Sequence, residues 1–145
     1  MSKFRWLLSA LLVATTVGPL FAADKPIEFT PENGFGGESK GQGSLRLFFG
    51  KPRSFHVTSR GSRQSDGTFR LDQTVTFEGK APKERFWIIT ATPDNYYTAT
   101  LSDAAGAVKG VTSGSHLSLE YRVNGPLVMH QELEISPDGR TIDNV

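Results

Sequence analysis

Gln73, Tyr97, Tyr121 and Gln131 are the residues whose types and spacing best suit them to chemistry, because each interrupts an apolar face of period two. Gln73 shares its parity with Phe69, Leu71, Val75 and Phe77, and Tyr97 with Ala99 and Leu101. Tyr121 falls in phase with Leu117, Leu119 and Val123, and Gln131 with Leu127, Met129, Leu133 and Ile135. Amides and phenols both donate and accept hydrogen bonds. Two of each on an oily wall can hold the polar head of an apolar ligand while Trp87, Leu119 and Met129 cover its tail, as in most small-molecule pockets. The same four tips also suit a solid interior. There the glutamines bond to backbone, to each other or to one trapped water, and the tyrosines reach solvent at a rim. Both readings stay open at this level.

Other chemistry finds less support. His56, His116 and His130 all fall at parities opposite to the apolar residues of their segments, so they face water and do not converge on a metal. The serines lie in turns and no Gly-x-Ser-x-Gly elbow occurs. Asp72, Glu78, Glu84, Glu132 and Glu134 occupy outward positions or loops. Gly36-Gly37-Glu38-Ser39-Lys40-Gly41 lacks the glycine spacing of a phosphate loop. The absence of cysteine excludes disulfides, thiol chemistry and attachment through a lipidated cysteine. The sequence therefore predicts a non-enzymatic protein without metal or cofactor. With 16 basic and 15 acidic residues there is no charge excess to recruit nucleic acid. The basic residues Lys40, Arg46, Lys51, Arg53, Arg60 and Arg63 read as solvated sheet surface.

The elements that must position these residues are strands. Leu45, Leu47 and Phe49 alternate with polar or outward residues, as do Phe55 and Val57, the period of half-buried strands. Turn chemistry recurs at Ser65-Asp66-Gly67, Pro93-Asp94-Asn95, Ser113-Gly114-Ser115, Asn124-Gly125-Pro126 and Pro137-Asp138-Gly139. The run Arg85-Phe86-Trp87-Ile88-Ile89 is apolar on both faces, which leaves its inward parity open. About eight short strands joined by tight turns predict an all-β antiparallel meander that curls into a small up-and-down barrel. No long crossover favours a sandwich.

Residues 1–22 have the layout of a secretory signal peptide: Lys3 and Arg5, an apolar run, then Gly18-Pro19 before Ala22 and Ala23. That run is short against the roughly 20 residues of a membrane span. Cleavage after Ala22 or Ala23 would leave no integral span and put the protein in the periplasm or outside the cell. Residues 23–43, rich in Gly and Pro, read as a flexible lead-in, and residues 44–145 as one barrel-like domain.

Over residues 49–123 the order of Phe55, Leu71-Asp72, Phe77, Arg85-Phe86-Trp87, Gly106, Gly110 and Leu119-Glu120-Tyr121 resembles the DUF3833 family of bacterial envelope proteins. The resemblance implies a lipocalin-like barrel in a Gram-negative envelope and brings no catalytic residues. This chain lacks the cysteine of many relatives, has a short connection at Asn124-Gly125-Pro126 and ends at Val145 where relatives add strands. The barrel is thus expected to be incomplete at its C-terminal end, with an edge at residues 139–145 that is open or paired with a protein partner. Two functions follow as expectations: carriage of a small apolar or lipid-like ligand, or a non-catalytic structural or interaction role with a solid core.

Overall fold

The computed structural model describes residues 25–45, 50–123 and 125–144. The expected leader, Arg46, Leu47 and Phe49, the Asn124 of its turn, and Val145 lie outside the described residues. A five-residue helix, α1 (Pro31–Phe35), precedes nine strands: β1 (Gly37–Leu45), β2 (Arg53–Arg63), β3 (Phe69–Phe77), β4 (Lys83–Thr92), β5 (Tyr96–Leu101), β6 (Ala107–Ser113), β7 (His116–Arg122), β8 (Val128–Ile135) and β9 (Ile142–Asn144). Each strand pairs antiparallel with the next, in the order β1 to β9. The sheet is an all-β up-and-down meander curled into a half-barrel. Among the described residues β1 and β9 are not joined.

The period-two faces turn inward as expected and carry the core. Phe69, Leu71, Trp87, Ala99, Leu101, Val108 and Tyr121 form one buried cluster on the concave side. Trp87 is 6% exposed and Phe86 38%, which settles the parity that the doubly apolar run left open. Phe86 instead lies on the outer face under the Arg70 guanidinium, 4.5 Å from its ring centre. The turn after β4 uses left-handed backbone at Asp94 and Asn95, φ 65° and 61°, which short polar side chains tolerate.

The first strand begins inside the stretch whose glycines suggested a mobile lead-in. Gly41 pairs with Val57 and Gly43 with Phe55. A Cβ at Gly41 would lie 2.9 Å from the Val57 side chain, and one at Gly43 2.8 Å from the Phe55 ring. Side chains of β2 thus fold over bare β1 backbone, and the glycines serve close approach.

Residues 27–36 close one end of the half-barrel. Thr30 caps α1 by accepting from the Asn33 N–H at 3.1 Å, with Pro31 in the first turn. The Phe29 N–H donates to the Gly114 carbonyl at 2.7 Å, and its ring is buried with Leu117 and Ile135. At the other side of this end Glu32 forms an ion pair with Arg63. The Phe35 carbonyl sits so close to Gly61 that a Cβ there would overlap it. The segment therefore spans from the β2–β3 turn to the β6–β7 turn. The connections β3–β4, β5–β6 and β7–β8 lie at the opposite end.

Candidate functional site

The concave face encloses a cavity of about 650 Å³. That size falls within the roughly 300–1,000 Å³ of small-molecule sites. Its walls are mainly apolar, among them Leu71, Val75, Ile89, Val108, Leu119 and Leu133, and Phe29 and Phe35 contribute from the closing segment.

Of the residues singled out in the sequence, Gln73, Trp87, Tyr97 and Gln131 line this cavity. Tyr121 and Met129 stand outside its lining: Tyr121 is buried in the core cluster and Met129 packs against it. The reason is reach. Tyr121 turns its ring edge-on to Trp87, with centroids 5.6 Å apart, and its hydroxyl donates to Gln131 Oε1 at 3.1 Å. Burial pushes the Tyr121 phenol above the ordinary tyrosine value, and the nearby Arg85 charge pulls it partly back.

The two amides are tied into side-chain networks. Gln73 Oε1 accepts from Trp87 Nε1 at 2.8 Å and from Arg85 Nε at 3.0 Å, and its Nε2 donates to Ser59 Oγ at 3.2 Å. Gln131 is held by Tyr121 on the β7–β8 wall. Trp87 touches both groups, so Gln73, Trp87, Tyr121 and Gln131 form one chain of contacts across the concave face. Tyr97 is apart from them. Its phenol is raised first by burial and then by the Glu32 carboxylate of the closing segment.

Arg85 and Ser59 belong to the site and were not singled out in the sequence. Ser39, Ser59, Gln73 and Arg85 are consecutive partners across β1 to β4, so they form one polar row on the inner face. All four line the cavity. The signal was the parity of Arg85 with Trp87, legible once Trp87 is known to face inward.

The outer face is organised differently. His116 Nε2 lies 3.0 Å from Glu132 Oε2, and Ser118 Oγ donates to the other oxygen of the same carboxylate at 2.8 Å. Serine and histidine thus share the acid and do not bond to each other, which is not the order of a catalytic triad. His130 stands 3.6 Å from Glu120, also on this face. Among the described residues no group of three metal-ligating side chains forms. A depression of about 1130 Å³ lies mainly on the outer face of β1 to β4. Its charges pair internally, Glu38 with Arg60 and Arg70 with Asp72, and these arginines hold both carboxyls below their usual range.

No helix among the described residues is long and apolar enough to cross a membrane. No curated protein and no solved structure matches the chain. The sequence does match a family described as protein of unknown function, DUF3833, over residues 11–140, a wider span than the motifs of residues 49–123. The chain with this half-barrel belongs to the DUF3833 family.

Proposed function

We propose that this protein is an exported envelope half-barrel that holds one small apolar or lipid-like molecule on its concave face. The observation that carries the reading is the cavity of about 650 Å³, walled mainly by apolar side chains of the concave face. Burying an apolar molecule there removes its surface from water at roughly 25 cal/mol per Å². The polar row through Gln73 gives such a molecule an orientation. The basic and apolar layout of residues 1–22 supports export, with cleavage after Ala22 or Ala23 and a periplasmic or secreted product.

Titration of the purified protein with N-phenyl-1-naphthylamine, a neutral apolar dye, tests the ligand reading. Saturable enhancement of dye emission at one site per chain is expected. Emission that stays flat up to the solubility limit of the dye would refute it. The second reading, a non-catalytic structural or interaction domain of the envelope, draws on β1 and β9, which are the edge strands of the sheet among the described residues. Unpaired strand edges are templates for another strand. A flat dye titration together with a stable oligomer would favour it.

A further inference from the structure

We infer that the ligand carries an anionic oxyacid head, a carboxylate or a phosphate monoester, and that Arg85 binds it; this rests on the reading of the cavity as a ligand site. Three observations carry the inference. First, Arg85 points into the cavity from β4, since its register partner is Gln73 and it shares its parity with buried Trp87. The other lining residues of full charge are placed differently. Lys40 and Asp143 pair with outward positions of β2 and β8, and Arg140 is exposed on the β8–β9 turn.

Second, the Arg85 charge has no carboxylate partner among the described residues. Asp103, on the β5–β6 connection, is paired through Oδ2 with Lys83 at 3.1 Å. Glu32, at the closed end, is taken by Arg63. Arg85 spends its Nε on Gln73 Oε1 and lays its guanidinium 5.7 Å from the Trp87 ring centre. Its two terminal nitrogens make no hydrogen bond to a described residue, and these form the edge of the fork that grips two oxygens of a carboxylate or phosphate.

Third, the position suits an amphiphile. The row Ser39, Ser59, Gln73 and Arg85 crosses an otherwise apolar lining, with Phe55, Val57 and Val75 on one side of it and Leu71, Trp87 and Ile89 on the other, toward Phe29. A head held at Arg85 therefore leaves its tail along the apolar wall. Ser59 is already the acceptor of the Gln73 amide, so its hydroxyl proton is available to a second oxygen of the head.

Competition against N-phenyl-1-naphthylamine with dodecanoate, dodecyl phosphate and dodecanol tests the inference, since the three share one tail. At least one anion is expected to compete about tenfold more strongly than dodecanol, the worth of one charge-assisted contact. Whichever anion is tighter identifies the head as carboxylate or phosphate. Arg85→Gln is expected to erase that preference, read as the ratio of anion to dodecanol competition on the same variant, whatever the change in overall affinity. Arg85→Lys, which keeps the charge and loses the fork, is expected to retain part of it. Arg122→Gln, an equal change of charge on the exposed face of β7, is expected to leave it intact. Equal competition by dodecanoate, dodecyl phosphate and dodecanol on the parent protein, or a preference that survives Arg85→Gln, would overturn the inference. The parent comparison decides even if the variants fold poorly. Dye binding without anion preference rejects the head group alone, whereas absence of all binding rejects the cavity reading beneath it.

Discussion

Trp87 Nε1 donates to Gln73 Oε1 at 2.8 Å, and that one oxygen also accepts from Arg85 Nε. A single half-buried amide thus serves as acceptor for two neighbours on β4. Gln73→Leu keeps the volume and strips both donors of their partner, so a loss of about 1 kcal/mol is expected, since solvent reaches part of this site. Trp87→Ala also empties the core and is expected to cost about 3–5 kcal/mol. Urea denaturation compares the two; equal midpoints for both variants would contradict this ranking.

Gly61→Ala is expected to loosen the closed end. The added methyl overlaps the Phe35 carbonyl and lies 2.7 Å from the Phe69 ring, so the closing segment must shift away from β2. Amide exchange within residues 27–36 should accelerate by about tenfold or more, with the β3–β8 amides little changed. Protection of the Phe29 N–H, which donates to Gly114, is the most direct readout.

Stability is expected to fall in alkali. Burial raises Tyr121 and Tyr97 in the folded protein, so both keep their protons after unfolded tyrosines have begun to ionise. The unfolded state then binds fewer protons, and stability declines as pH rises from about 10 through the folded values. Below that window the contribution is fully present. Tyr121→Phe should flatten part of the decline, measured as thermal midpoint against pH from about 8.5 upward.

Processing is the test of export. Intact-mass analysis of protein recovered from the periplasm is expected to show a chain beginning at Ala23 or Asp24. A periplasmic species that retains residues 1–21 would contradict the signal-peptide reading.

Much of the fold was legible because a half-buried strand writes its burial into alternate residues. β3, β5 and β7 each show one apolar and one polar face, and their bounds follow from the turn residues beside them. β4 hid its parity because Phe86 and Ile88 are apolar on the outer side, Phe86 being covered there by Arg70. β1 looked like linker because its inward positions 41 and 43 are glycines, and a glycine that admits a neighbouring side chain is written the same way as one that confers freedom. In the site, Gln73, Tyr97 and Gln131 could be read from parity. Arg85 could not, because its direction depends on β4, and neither could the withdrawal of Tyr121 toward Gln131, which depends on a strand pairing.

The unbroken order β1 to β9 bears on how the chain reaches this state. Every ladder joins neighbours in sequence, so each closes a short loop and the sheet can zip hairpin by hairpin with little entropic delay. The exception is Phe29, whose docking on Gly114, Leu117 and Ile135 closes a loop of most of the domain. The segment that precedes every described strand in the chain is therefore expected to be the last to find its place. It is also expected to be the first part to detach when the protein opens, at a free energy below that of unfolding the sheet.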